Sequence, residues 1–254
     1  MTPCNKPNKP LHATRETLAR DGRRCPQMFR VALLVVCFVP FVTHTAESVC
    51  YGTPSNGRLE YGVKIEESGR NFEPYSSLGV TLGRTYVHSR VARVITDAYA
   101  ALAKELPNTM FVYGESGWSE GGRIKPHRTH QNGLAVDFMV PVRNKEGISV
   151  PLPSGVTNKF GYDLEFDRAA RNGDLTIDFD AIAEHLHALY SAAGKHRVGI
   201  ARVIFDPQFI PKLYKTKRGE FIKRNITFMQ GRAWVRHDEH YHVDFSVTCK
   251  PLKG

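Results

Sequence analysis

His127-Arg128-Thr129-His130-Gln131-Asn132-Gly133-Leu134-Ala135-Val136-Asp137 gathers two histidines and an aspartate around one glycine. Gly133 lets the chain turn between His130 and Asp137. The apolar run from Leu134 to Val142 reads as a strand, and Pro141 places its edge or its end there. A second stretch, His237-Asp238-Glu239-His240-Tyr241-His242-Val243-Asp244, leads into another strand, His240 to Val247. Alternation along that strand puts His240, His242 and Asp244 on one face and turns Tyr241, Val243 and Phe245 toward a core. Val136 and Phe138 point away from Asp137 in the same manner. Two strands that each bury one face and present histidines or carboxylates on the other are the frame of a sheet.

The remaining elements are read around that frame. Residues 51–84 are rich in Gly, Pro, Ser and Asn and predict an irregular lead-in with short strands. Val87, Val91, Val94, Ile95, Ala98 and Leu102 mark one face of a helix within Tyr86 to Leu106, with Pro107 after its end. Met110 to Tyr113 reads as a short buried strand. Residues 143–176 read as a long loop, which in a compact domain is often functional. A second helix is expected over Ile177 to Ala193, with Ile182, Leu186, Leu189 and Tyr190 on one face and Gly194 as its stop. Val198 to Phe205 is an apolar strand, and Asp206-Pro207 opens a short helix through Tyr214. This order, without a Rossmann fingerprint or a Gly-rich phosphate loop, predicts an α+β fold: a small central antiparallel sheet flanked by helices and long loops.

The chain has 254 residues and a formal charge of +10. Half of that charge lies in residues 1–46, so the body is only mildly basic. Such a surface suits an anionic polymer. No basic run is interleaved with aromatics, so nucleic acid is not an expected partner. Phe29 to Val42 is an apolar run behind a basic segment, shorter than the roughly 20 residues of a spanning helix and interrupted by Pro40. With Ala46 soon after, this is the layout of a signal peptide, with membrane contact only through that leader. His44 makes the cleavage site imperfect, and Met28 would itself start a compact signal peptide. The expected organisation is a leader over 1–46 and one domain over 47–254. Cys4, Cys25 and Cys37 fall in the leader, leaving Cys50 and Cys249 at the two ends of the body. In an exported chain this predicts a disulfide that ties the ends together.

The chemistry lies in the two histidine stretches. Two imidazoles and a carboxylate from neighbouring strands can form three corners of a tetrahedron. Two histidines, one carboxylate and a water make a catalytic zinc arrangement. Zinc would bring the pKa of that water toward about 7 and polarise a carbonyl. A histidine left beside the metal is a natural general base. Singly, each piece is ordinary: most His-x-His pairs are structural, and an Asp in a strand is more often a turn or cap residue. The density is the signal, since His127, His130, His237, His240 and His242 are five of eleven histidines. No Ser-x-x-Lys motif offers a competing nucleophile.

His-x-x-Gly-x-x-x-Asp followed much later by His-x-His is similar to the zinc peptidases grouped with lysostaphin, D-Ala-D-Ala peptidases and the hedgehog signalling domain. More narrowly, His127-x-x-His130-Gln131-x-Gly133-x-x-Val136-Asp137 and His237-Asp238-x-His240-x-His242-Val243, with Gly121-Gly122-Arg123 ahead, resemble the penicillin-insensitive murein endopeptidases. The likeness spans roughly residues 84–247, with its motifs at the two ends. Glu239 stands where that family's His-Asp-Asp-His stretch has its second Asp. The resemblance implies a zinc ion (Zn2+) held by His130, Asp137 and His242, with His240 beside it as base or stabiliser. It also implies that His127 and His237 line the cleft. The implied activity is cleavage of peptide crosslinks in peptidoglycan, in the periplasm. Arg123 could hold a substrate carboxylate and Trp118 could pack on a peptide stem. Arg84, Tyr86 and His88 are further residues of that neighbourhood. A zinc D-Ala-D-Ala carboxypeptidase and a non-catalytic wall-binding module are the competing readings.

Overall fold

The computed structural model describes residues 46–231, 233 and 235–252; the expected leader, apart from Ala46, lies outside them. The described residues cluster as one unit. The chain begins with a hairpin of β1 (Val49–Thr53) and β2 (Asn56–Glu60), then β3 (Val63–Lys64), β4 (Phe72–Pro74) and α1 (Ser77–Thr81). Next, β5 (Tyr86–Val87) pairs with β3 and leads directly into α2 (Ser89–Glu105). After β6 (Phe111–Tyr113) and β7 (Ala135–Met139) come β8 (Val142–Arg143), β9 (Ser149–Val150), β10 (Arg171–Asn172) and β11 (Leu175–Ile177). The chain closes with α3 (Phe179–Lys195), β12 (Gly199–Ile204), the short α4 (Ile210–Leu213) and α5 (Gly219–Asn225), and β13 (His240–Ser246).

The central sheet has five strands in the order β12-β13-β7-β6-β4. It is antiparallel except for β4, which lies parallel to β6, so the expected antiparallel sheet is in fact mixed. The lead-in before α1 contributes that parallel edge, and three residues carry too little pattern to reveal it. Pro141 follows the end of β7, an interior strand, and its carbonyl accepts from Asp178 N at 2.8 Å. Residues 143–176 are not simply a loop: β8, β9, β10 and β11 form a second small sheet of two- and three-residue strands, too short for alternation to show.

One face of the central sheet is covered by α3, with α2 packed beside it. On α2, Val91, Val94, Ile95, Ala98, Tyr99 and Leu102 are buried in one stripe. On α3, Asp178 caps the first turn by accepting from Ala181 N at 3.0 Å, and Ile182, Leu186 and Leu189 are buried. Tyr190 lies off that stripe, exposed, with its ring edge on Phe221. His185 of α3 joins helix to sheet: its ring stacks on Tyr99 and meets Phe138 and Tyr241. Each fully buried aliphatic or aromatic side chain here contributes about 1.5–3 kcal/mol. The burial holds β7 and β13 flat against the helices and leaves their other face to the histidines. Cys50 and Cys249 form the expected disulfide.

Candidate metal centre

The register of β7 and β13 sets Asp137 opposite His242 and Met139 opposite His240. Opposed residues of antiparallel strands project to the same side, while Phe138 and Tyr241 stack on the other side with centroids 5.8 Å apart. His130 enters from the turn before β7, with φ of 68°. Gly133 is required twice over: its φ is +75°, and a Cβ there would stand 2.7 Å from His88 N and from Leu59 Cδ2.

His130 is fully buried. Its Nδ1 lies 3.2 Å from the carbonyls of Ser116 and Ala135, so Nδ1 carries the proton and donates. Nε2 is therefore a lone pair, 3.3 Å from Asp137 Oδ1, and among the described residues it has no hydrogen-bond partner. On the other side of the same oxygen, His242 Nδ1 lies 2.8 Å away. His242 Nε2 is 2.8 Å from Asp244 Oδ1, and Arg202 donates to Asp244 Oδ2 through Nε and Nη2 at 3.0 and 2.5 Å. Burial would depress the charge on His242, but Asp137 and Asp244 outweigh it and hold the imidazolium to about 9. Burial would raise Asp137, yet His130 and His240 keep it well below the usual carboxylate range.

The second oxygen of Asp137 faces another pair. His127 Nδ1 is 3.8 Å from Oδ2 and His240 Nε2 is 3.9 Å from it. His127 Nε2 contacts Glu115, which also accepts from Arg84 Nε at 2.5 Å, Arg84 Nη2 at 2.9 Å and the Tyr75 hydroxyl at 2.9 Å. Burial opposes charge on His127, but Glu115 and Asp137 outweigh it and raise its pKa. Burial would likewise raise Glu115, but His127 and Arg84 bring it down to about 2. His240 Nδ1 is 3.0 Å from Glu239 Oε1, and burial lowers its pKa to about 4. Burial pushes Glu239 itself up to about 7. The His237 ring lies 4.5 Å from that of His240, and its Nδ1 is 2.9 Å from the Val235 carbonyl.

The donor atoms of His127, His130 and Asp137 all lie within 4.8 Å of one another, a buried group able to hold a metal ion. His242 adds a fourth donor on the Oδ1 side. Of these, His127, Asp137 and His242 line a cleft of about 600 Å³ together with Tyr75, Leu78, Leu82, Arg84, Glu115 and Tyr162, while His130 lies buried behind it. Tyr86, Trp118 and Arg123 stand outside that lining. Trp118 Nε1 donates to the Arg123 carbonyl at 3.3 Å and lies under the Arg84 guanidinium, so from this neighbourhood it is Arg84 that reaches the cleft. His88 caps α2, accepting from Arg90 N at 3.1 Å.

Gly117-Trp118-Ser119-Glu120-Gly121 has the Gly-x-Ser-x-Gly spacing of a nucleophile elbow. It folds instead as a turn between two isolated bridges, with Ser119 exposed, and not at a strand-to-helix corner. Glu115 and Tyr162 went unnoticed in the sequence. Glu115 is a lone carboxylate in a loop, and Tyr162 lies far from both histidine stretches. A comparison with curated proteins gave no match. A sequence model of the penicillin-insensitive murein endopeptidases matches residues 50–251, from the first disulfide cysteine past both histidine stretches, and the chain belongs to that family.

Proposed function

We propose that this chain is an exported zinc endopeptidase that hydrolyses the peptide crosslinks of peptidoglycan, with one catalytic domain over residues 47–254. The observation that carries the zinc reading is the buried lone pair of His130 Nε2, which among the described residues has no donor and lies 3.3 Å from the Asp137 oxygen that His242 also faces. An unsatisfied buried acceptor costs about 1–3 kcal/mol, and a divalent cation among two imidazoles and a carboxylate relieves it. Bonds of about 2.0–2.1 Å to zinc at tetrahedral angles put neighbouring donors about 3.3 Å apart, against 3.3 and 2.8 Å for the two nitrogens around Asp137 Oδ1. His130, Asp137 and His242 would hold the ion, and each imidazole has a second partner fixing its tautomer.

Zinc, when bound, supplies a water acidified to near-neutral pKa and a Lewis acid for the scissile carbonyl. His240, oriented through Nδ1 by Glu239, presents Nε2 to the cleft and takes the proton of the attacking water. That proton passes to the leaving amine as the C–N bond breaks. His127, held by Glu115, offers an N–H to the developing oxyanion. His237 packs against His240 and limits its rotation. The disulfide fits an oxidising compartment. Among the described residues no helix is long and apolar enough to cross a membrane.

The test is mass spectrometry of purified sacculi digested with residues 47–254. Crosslinked muropeptides should fall to monomers, in the presence of penicillin and not after chelation. Loss of terminal alanine from monomers alone would point to a carboxypeptidase. Intact sacculi under zinc-replete conditions would leave only a wall-binding module.

A further inference from the structure

Tyr162 reaches the centre from the segment between β9 and β10, the stretch read from sequence as a long loop. Its hydroxyl donates to Asp137 Oδ2 at 3.0 Å and accepts from the backbone N–H of Glu115 at 3.0 Å. The one hydroxyl proton is thereby committed to Asp137. The two oxygens of that carboxylate then have separate partners, since Oδ1 is the one flanked by His130 Nε2 and His242 Nδ1.

The fold takes trouble to deliver this phenol. Lys159 and Phe160 both adopt left-handed backbone, with φ of 49° and 59°, followed by Gly161 at 98°. Two successive non-glycine residues in that region are uncommon and need surroundings that over-determine them. The Tyr162 ring is then held edge-on by Tyr75, His127 and His240, at centroid distances of 6.0, 5.8 and 5.1 Å. Gly114 leaves room for the hydroxyl: a Cβ there would stand 2.7 Å from Tyr162 Oη and 2.9 Å from Asp137 Cβ.

A carboxylate with both oxygens free can rotate about its Cβ–Cγ bond and exchange one-oxygen for two-oxygen ligation. A donor fixed on one oxygen removes that freedom, as the carboxylate and carbonyl partners of ligating histidines fix theirs. We propose that Tyr162 is a positioning residue that restricts Asp137 to one-oxygen coordination of the metal ion. The inference rests on the zinc reading of this site.

The experiment is competition for zinc between the protein and a chromophoric chelator, for wild type and Tyr162→Phe, with thermal melting of both metal-free proteins as the fold check. Tyr162→Phe should bind zinc about 10–100-fold more weakly and still melt cooperatively without metal, at a somewhat lower temperature because the Glu115 N–H loses its acceptor. Unchanged affinity overturns the inference, even if turnover is lost, because the hydroxyl would then act on substrate. A lowered metal-free melting temperature with unchanged affinity overturns it in favour of packing. If wild type takes up no zinc, the zinc reading falls and this inference falls with it. Should Tyr162→Phe fail to melt cooperatively, ¹³C-tyrosine labelling of wild type decides: the Tyr162 Cζ resonance moves on zinc loading, and an unmoved resonance overturns the proposal.

Discussion

Asp137 and His242 are directly opposed across β7 and β13, and the imidazole Nδ1 lies 2.8 Å from the carboxylate Oδ1. The pairing is a consequence of register. A slip of one residue would send His242 into the core and bring Tyr241 to the metal face. Packing of Phe138 on Tyr241 behind the sheet therefore fixes the chemistry in front of it.

His130→Ala, Asp137→Ala and His242→Ala should each lose stoichiometric zinc while staying folded, whereas His127→Ala should keep it. Metal analysis of the four purified variants checks this. If His127→Ala shed zinc and His242→Ala retained it, the ligand set would be His127, His130 and Asp137 instead, the group whose donors lie within 4.8 Å.

The strands bearing the histidines were legible because period-2 alternation survives in β7 and β13 even though both are buried on the two faces. The turn at Gly133 was legible for a similar local reason, but the helix ends were less so: α2 is capped by His88, and α3 runs through Gly194, its expected stop, to Lys195. The parallel strand β4 and the second sheet were not legible, because strands of two or three residues carry no periodicity. In the site, His127, His130, Asp137, His240 and His242 announce themselves by density. Glu115 and Tyr162 matter through Arg84, His127 and Asp137, partners distant in sequence, and nothing local marks them.

Asp244 supports His242 from behind and is itself held by Arg202. Asp244→Asn keeps the shape but removes the charge that makes the imidazole a stronger ligand. Zinc affinity should fall about 10–100-fold, read by chelator competition, with native circular dichroism. An affinity equal to wild type would show that the carboxylate does not tune the centre.

His88 predicts a pH dependence of stability remote from the metal. It is buried at the start of α2, and its Nδ1 must stay unprotonated to cap. Burial lowers its pKa to about 4, with Arg90 and Arg93 acting in the same direction and Glu47 against them. The unfolded value is about 6.5, so between those values the unfolded chain binds more protons than the native one. The contribution is complete above about pH 6.5 and lost as pH falls toward 4, on the order of 3 kcal/mol in all. Urea unfolding at pH 7.5 and pH 5 should show a smaller acid loss for His88→Ser, which can still cap, than for wild type. Equal losses would contradict the assignment.

The Cys50–Cys249 bond spans 199 residues. In the chain-entropy model, closing so long a loop stabilises by about 5 kcal/mol. Intact mass of the exported protein should be two hydrogens below the dithiol, with a start near Glu47. Reduction should lower the melting temperature without removing zinc. Two free thiols in the purified protein would refute the pairing, and a retained leader would refute the start.

His240 shares a face with His242, yet its Nε2 is 3.9 Å from the far oxygen of Asp137 and its Nδ1 is occupied by Glu239. On the proposed ligand set of His130, Asp137 and His242, it would stand beside the metal and not hold it. A general base or electrostatic stabiliser contributes about 10²–10⁴-fold. His240→Ala should therefore bind zinc like wild type and fold normally, but lose crosslink cleavage by that order. If His240 were instead a fourth ligand closing the site, the variant would shed metal together with activity, and the centre would be structural. Zinc content and turnover measured on the same preparation separate the two. Glu239→Gln, which keeps the orienting hydrogen bond but not the charge, should lose less than His240→Ala, since it weakens the imidazole as a base and leaves its proton-accepting nitrogen in place.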